Sequence, residues 1–210
     1  MFLHYSPFWL KALYSSYVWR VLTTEKRLYL TFDDGPIPDV TEGVLETLQH
    51  YRAKATFFCI GDNIRKHPAV FRKIMAQGHA VGNHTYHHLN GWKTSHEEYL
   101  ANVQQCAELL PPQTRLFRPP YGRVKRSQAR EIMQTNRLVM WDVLSGDFAQ
   151  EISPETCLSK TIQHTRPGSI LLFHDSLKAR RNMEYAVPRV LDHFSNLGFQ
   201  FDSLSTNLNG

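Results

Sequence analysis

Residues 27–36 read Arg27-Leu28-Tyr29-Leu30-Thr31-Phe32-Asp33-Asp34-Gly35-Pro36, and the rest of the chain can be read outward from them. The first six are rich in strand-favouring side chains, and the last four form a turn cluster. Residues 41–51 then carry Val44, Leu45 and Leu48 at helical spacing, and 56–60 is a short apolar run stopped by Gly61. Strand, helix and strand in that order imply parallel strands joined by right-handed crossovers. Asp33 and Asp34 then sit at the C-terminal end of a parallel strand.

The alternation continues downstream. Pro68 opens a helix carrying Val70, Phe71, Ile74 and Met75, and residues 79–82 form a short strand. Ser95, with Glu98 three residues on, caps a helix reaching Leu110. Further strands are expected at 116–118, 137–143, 169–173 and 199–201. Helices are expected at 127–135, from Ser153-Pro154 to near Gly168, and at 183–196 despite Pro188. About seven parallel strands fit an α/β fold of the distorted or incomplete (β/α) barrel type, shorter than the roughly 250 residues of a full barrel. An open doubly wound sheet is the alternative. There is no Gly-rich dinucleotide fingerprint.

The chain has 210 residues, 42% hydrophobic and 20% charged, which fits one globular domain and excludes collagen-like, mucin-like and wholly disordered chains. The formal charge of +5 suits an acidic substrate or a membrane surface but is no nucleic-acid signature. Cys59, Cys106 and Cys157 are odd in number and far apart, so free buried thiols are expected rather than a disulfide framework. Residues 1–26 read as an aromatic-rich, helical N-terminal extension to a domain spanning 27–205. Phe8, Trp9, Tyr14, Tyr17 and Trp19 fall within 8–22, the expected terminal helix, which either packs on the domain or makes peripheral membrane contact through residues 1–22. Lys11 and Arg20 break the apolar run and no small-residue cleavage site follows, so there is no clear signal peptide. The expected location is cytoplasmic or membrane-peripheral. Residues 203–210 read as a fraying polar tail.

Ionisable and polar groups recur at the ends of the expected strands: Asp33 and Asp34; His84, His87 and His88; Arg118 and Tyr121; Asp147; His174 and Asp175. In a parallel barrel these ends converge on the catalytic face. From a tight turn, one of two adjacent aspartates can bind a metal while the other stays free as a base. The spacing of His84 and His88 allows both imidazoles to reach one ion, and two histidines plus an aspartate leave coordination positions open, as a catalytic zinc requires. The plainer alternatives are an ordinary Asp-Asp-Gly-Pro turn and a His-rich surface loop, and His87 leaves the register of the histidine pair open.

Five motifs in order bring the comparison to a family: Thr31-Phe32-Asp33-Asp34-Gly35-Pro36, His84-Thr85-Tyr86-His87-His88, Arg118-Pro119-Pro120-Tyr121, Asp147-Phe148 and Leu172-Phe173-His174. From about residue 27 onward the chain resembles the polysaccharide deacetylase family, the NodB homology domain of carbohydrate esterase family 4. The resemblance implies a NodB-like fold and hydrolysis of an acetyl group, N-acetyl above all. It implies a divalent metal on Asp34, His84 and His88, zinc first, with Co2+, Ni2+ or Mn2+ as alternatives. It makes Asp33 the general base, held by Arg118. The Tyr121 backbone N–H joins the oxyanion hole, and His174 is the general acid tuned by Asp147. Leu172, with Tyr121 and Phe148, lines the substrate pocket. In such a scheme the metal polarises a poorly electrophilic amide, the base deprotonates water, and the acid protonates the departing amine. The fourth motif departs from the family: Phe148 stands where tryptophan is usual, and Leu144 where a further aspartate is frequent.

The resemblance leaves the substrate open among acetylated glycans and lipid-linked aminosugars. Deacetylation of O-acetylated xylan and hydrolysis of another non-peptide amide are the nearer alternatives, and a catalytically idle glycan-binding protein is the alternative of another class. No nucleic-acid partner is indicated, and oligomeric state is unread. Two basic stretches bear on the choice: Arg115, Arg118, Arg123, Lys125, Arg126 and Arg130, then Lys178, Arg180 and Arg181. They are either a solvated helix surface or a site for an anionic group of the glycan.

Overall fold

In the computed structural model, which describes residues 3–204, the sheet is built around β1 (Arg27–Asp33). It is flanked by β2 (Ala55–Cys59) and β3 (Ala80–Asn83) on one side, then β4 (Leu116–Phe117) and β5 (Arg137–Leu138). On the other side lie β7 (Ile170–His174) and β6 (Val143–Leu144). The strand order is β5-β4-β3-β2-β1-β7-β6, and every pairing is parallel. Among the described residues the last strand, β8 (Gln200–Phe201), pairs with the start of β1 alone. Its Phe201 carbonyl also accepts the Lys54 N–H, so β8 wedges between β1 and β2 at their N-terminal ends.

Side-chain alternation along β1 sets the two layers. Leu28, Leu30 and Phe32 pack outward against α2 (Val40–His50) and α8 (Arg180–Asn196), through Val44, Leu48, Val187 and Leu191. Tyr29 points inward and shares a second cluster with Phe58, Leu116, Val139 and Ile170. Each fully buried aliphatic or phenyl group contributes roughly 1.5–3 kcal/mol.

The barrel is incomplete because its two edge strands are joined by a crossing segment rather than paired. The expected strand at 137–143 is in fact two short strands, β5 and β6, separated by residues 139–142. Backbone groups there are shared among three neighbours: Val139 N–H donates to Phe117, Met140 N–H to Val18 and Asp142 N–H to Ile170. The carbonyls of Val139 and Met140 accept from the buried Arg118 side chain instead of from a strand. A side chain has taken the place of a ladder.

The N-terminal segment is a strap rather than one long helix. Only α1 (Phe8–Leu13) is helical, so the helix expected over 8–22 stops at Leu13. Tyr5 bridges Val143, Val18 bridges Val139 and Arg20 bridges Ser169. Val18 and Trp19 are buried, and the strap covers a sheet edge that would otherwise offer unpaired backbone groups. Gly168 has a φ of 80°, and a Cβ there would lie 2.0 Å from the Val21 carbonyl oxygen, so the strap's seat requires glycine.

Two further differences are local. The six-residue α3 (Gly61–Lys66) was not expected, since Ile64 alone gives no helical periodicity. Leu204 is buried, with its N–H on Thr56 Oγ1, so the chain is still packed where fraying was expected to begin; 205–210 lie outside the described residues. All three cysteines are buried and free, with the Cys106 thiol pushed up to about 12 by burial.

Candidate active site

The end of β1 and the loop after β3 bring three ligand-type side chains together. Asp34 follows β1 with a φ of 84°, while Thr85 (61°) and His88 (56°) follow β3, all in the left-handed region that non-glycine residues avoid. Asn102 of α5 (His96–Ala107) explains how the histidine loop is held. Its Oδ1 accepts the N–H groups of Tyr86 and His87 at 2.8 and 2.9 Å, and its amide bonds the His87 ring at 3.0 Å. His87 is thereby turned away, and His84 and His88 are the pair that converges.

His88 Nε2 lies 3.2 Å and His84 Nε2 3.8 Å from Asp34 Oδ1. The three ligand-type atoms fall within 4.8 Å of one another. His84 Nδ1 is 2.8 Å from the Arg118 carbonyl, to which it donates, so Nε2 is left as a lone pair facing the aspartates. Burial pulls the His84 pKa down to about 4, which keeps the imidazole neutral. Burial would raise the Asp34 carboxyl, but the surrounding histidines, His88 first, outweigh it and hold the group well below the usual carboxylate range. Asp34 Oδ1 is buried and has no hydrogen-bond partner among the described residues. A buried, ionised carboxylate oxygen facing the ring nitrogens of two histidines fits a divalent cation.

Asp33 faces the same space. Its Oδ1 accepts from Arg118 Nη1 at 2.7 Å, and its Oδ2 lies 3.7 Å from His84 Nε2. Arg118 is wholly buried, and each of its three nitrogens has a use: Nη1 also reaches Thr31 Oγ1 at 2.8 Å, Nη2 the Met140 carbonyl at 2.8 Å and Nε the Val139 carbonyl at 3.2 Å. Its guanidinium carbon sits 4.1 Å from the Phe58 ring centroid. The Asp33 carboxylate is therefore fixed while one oxygen stays directed at the site.

Across the cavity, β7 ends at His174. The Asp147 carboxylate accepts the His174 ring Nδ1–H at 2.8 Å and its backbone N–H at 2.7 Å. Burial alone would lower the His174 pKa, but Asp147, helped by Asp34 and Asp33, pushes it up to about 9. Its Nε2 is left for the cavity. The next residue, Asp175, is buried and holds the opposite loop: it accepts the Gly35 N–H at 3.0 Å and the Thr41 hydroxyl at 2.6 Å. Burial, first among its causes, pushes the Asp175 pKa up to about 8.

These groups surround one cavity of about 650 Å³. Asp33, Asp34, His84, His88 and His174 form its polar floor. Trp141, Leu144, Phe148 and Leu172 supply apolar wall. Tyr121 lines it with a φ of 61°, and the turn's two hydrogen bonds use the N–H groups of Gly122 and Arg123 rather than its own.

A family model described as polysaccharide deacetylase matches residues 20–139. The chain belongs to the polysaccharide deacetylase family. It is a hydrolase of carbon–nitrogen bonds other than peptide bonds. It is 31% identical over 193 residues to a peptidoglycan-N-acetylglucosamine deacetylase of Bacillus cereus, covering 89% of this chain and 90% of that one. It is 36% identical over 163 residues to a chitooligosaccharide deacetylase of Azorhizobium caulinodans, covering 74% and 77%. Among solved structures, a peptidoglycan N-acetylglucosamine deacetylase in complex with 4-naphthalen-1-yl-N-oxidanyl-benzamide superposes with a TM-score of 0.86 at 29% identity, over 95% of both chains. The fold is the family's curled half-barrel of parallel strands.

In this deacetylase all ten motif residues singled out by the sequence come together. Eight of them line the cavity, and Arg118 and Asp147 lie behind its wall, each holding a lining residue. Leu144, where a further family aspartate is frequent, contributes apolar wall instead. The basic stretches divide. Of the nine side chains, only Arg123 and Lys178 line the cavity. Arg126 and Arg130 lie beside Tyr17, Arg115 beside Arg137, and Arg180 pairs with Glu184. Sequence reasoning overlooked Asn102 and Asn63, whose amide donates to the Asp34 carbonyl at 2.7 Å, and gave Thr31 and Asp175 no role. Nothing in the local sequence marks the two asparagines.

Proposed function

We propose that this enzyme removes the N-acetyl group of an aminosugar in a glycan or glycan precursor. The observation that carries the proposal is a single cavity holding three elements: an Arg118-fixed carboxylate, an Asp-His-His ligand set and an Asp147-backed histidine. A divalent ion, zinc first by its fit to two imidazoles and a carboxylate, would be held by Asp34, His84 and His88 and would polarise the acetyl carbonyl and acidify water. Asp33 accepts the proton of the attacking water through the oxygen that Arg118 leaves free. The Tyr121 N–H, unused by its own turn, donates to the carbonyl oxygen as charge grows on it. His174, kept protonated by Asp147, gives its Nε2 proton to the leaving nitrogen. Water is consumed, the C–N bond breaks, and acetate and a free amine result. Leu172, Leu144 and Phe148 exclude water around the acetyl methyl.

The test is released acetate from the zinc-loaded protein across chitin oligomers, peptidoglycan fragments, acetylated xylan and lipid-linked aminosugars, with Asp33→Asn as control. Acetate from the aminosugar substrates, lost in the control, supports the reading. Acetate from xylan alone points to the O-acetyl alternative, and none from any substrate points to an idle glycan-binding protein.

A second reading concerns the strap. Phe8, Trp9 and Leu13 are 83%, 57% and 59% exposed, with Lys11 between them, which suits peripheral contact with a membrane interface and hence a lipid-linked substrate. Among the described residues no helix is long and apolar enough to cross a membrane. Phe8→Ser/Trp9→Ser should abolish binding to anionic liposomes; unchanged binding removes this reading.

A further inference from the structure

Two exposed cations line the cavity with no acid paired to them among the described residues. Arg123 follows the Tyr121 turn, and its guanidinium carbon lies 5.1 Å from the Trp92 ring centroid. Trp92 is itself fixed, its indole N–H donating to the Val124 carbonyl at 3.3 Å. Lys178 follows β7, its Nζ 5.9 Å from the Phe148 ring centroid, and Phe148 in turn packs edge-on against His174 at 5.2 Å. The Lys178 carbonyl is tethered by the Gln150 amide at 2.5 Å. Neither cation makes an ion pair among the described residues, and of the basic side chains in the two stretches they are the two that line the cavity. The acids that line the cavity, Asp33 and Asp34, lie on its floor, and both are already engaged by Arg118 and the histidines.

We propose that Arg123 and Lys178 form an anion subsite at the cavity mouth, and that the aminosugar deacetylated here carries a carboxylate or a phosphate. The proposal rests on the deacetylase reading and names the substrate class within it. Aromatic faces under both cations limit the conformations available to them, so less freedom is lost when an anion is gripped. Two cations from separate loops can engage an anionic group while the acetamido group sits over Asp33, so they select which sugar enters rather than how it reacts. Such groups act chiefly on substrate affinity and on its dependence on salt.

The test uses the zinc-loaded full chain and three substrates: a neutral N-acetylglucosamine oligomer, an oligomer containing N-acetylmuramic acid, and N-acetylglucosamine 1-phosphate. Arg123→Gln, Lys178→Gln and the double variant are compared with Arg123→Lys and Lys178→Arg. The double variant should raise KM about ten-fold or more for whichever anionic substrate is native. It should raise KM by less than about three-fold for the neutral oligomer, with kcat less affected than KM. The charge-keeping variants should recover most of the loss, and added salt should mimic it. A rise in the carboxylate arm alone or the phosphate arm alone identifies the anion. Equal changes on neutral and anionic substrates, or loss on charge-keeping replacement equal to that of glutamine, would overturn the subsite.

A binding measurement separates this from failure of the deacetylase reading. N-acetylmuramic acid, N-acetylglucosamine 1-phosphate and N-acetylglucosamine are titrated in turn while the change in tryptophan emission is followed, Trp92 and Trp141 being the two of the four tryptophans at or beside the cavity. Saturable binding of an anionic sugar tighter than that of the neutral one, lost in the double variant, supports the subsite even if no acetate is released. Equal affinity for charged and neutral sugars refutes it even if acetate is released.

Discussion

Asp147 holds His174 at two points, the ring Nδ1–H at 2.8 Å and the backbone N–H at 2.7 Å. One carboxylate thus sets the tautomer, the orientation and the charge of the histidine facing the cavity. With the His174 pKa pushed up to about 9 from an ordinary 6.5, the protonated donor persists through neutral pH. A group whose pKa is raised on folding contributes stability that is full below its unfolded value and is lost as pH rises through the folded one. The His174–Asp147 contribution is therefore complete below about 6.5 and gone above about 9.

Activity should follow the same proton. The alkaline limb of kcat/KM should fall between 6.5 and about 9, below the upper figure because a bound cation offsets the help of Asp34 and Asp33. Asp147→Asn should move that limb toward or below 6.5 and lower the plateau. A limb unmoved by the substitution would separate Asp147 from proton donation.

Asp34→Asn and His88→Ala should weaken metal binding by more than the about 10–100-fold typical of losing an outer-shell partner. Asp33→Asn should leave metal content intact and cut turnover by about 10²–10⁴-fold, the usual weight of a general base. Metal analysis alongside kinetics distinguishes the two adjacent aspartates. Equal metal loss in Asp33→Asn would place Asp33 among the ligands.

Arg118 links the fold to the chemistry. Arg118→Met leaves Asp33 buried without its counter-charge and removes the donors that satisfy the crossing segment at Val139 and Met140. Loss of one partner of a buried pair costs about 3–5 kcal/mol, measurable by urea unfolding. A cost below about 1 kcal/mol would mean that water or a neighbour takes over both tasks.

At Gly35 the prediction is steric. A Cβ there would lie 1.9 Å from Asp175 Oδ2, so Gly35→Ala must push the Asp33–Asp34 turn away from Asp175. Metal affinity should fall even though no ligand is changed. Unaltered affinity would show that the turn is not positioned by Asp175.

The strap behaves as part of the domain. Deleting residues 1–22 exposes the surface beneath Val18 and Trp19 and frees the Met140 N–H, so stability should fall by about 3 kcal/mol or more. Phe8→Ser/Trp9→Ser should leave it nearly unchanged, since both side chains face solvent. A deletion that unfolds at the same denaturant concentration as the intact chain would contradict the strap's place in the core.

What could be read from the sequence follows from range. The motif residues sit at strand ends, so strand alternation and order along the chain were enough to put Asp33, His84, Arg118, Asp147 and His174 on one face. The pieces that escaped depend on contacts between distant positions. Asp175 acquires its task from Gly35 and Thr41, more than a hundred residues away. The break at 139–142 depends on Arg118 reaching into a ladder, which a run of strand-favouring residues does not reveal. Trp19 looked like part of an aromatic helix because its aromatic neighbours are local, whereas Val18's backbone bonds to Leu138 and Met140 decide the conformation there. His87 is the converse case: its sequence position made it a rival ligand, and one asparagine on α5 removes it.

The central claim is that Asp33, the Asp34–His84–His88 set and His174 act as one deacetylating centre. It is tested most directly by acetate release from an acetylated aminosugar oligomer by metal-stripped, zinc-reloaded and zinc-reloaded Asp33→Asn protein. The account predicts no release by the stripped protein, full recovery on reloading, and at least about 100-fold less release by the metal-replete Asp33→Asn variant. Undiminished release by the stripped protein, or by Asp33→Asn, would contradict it.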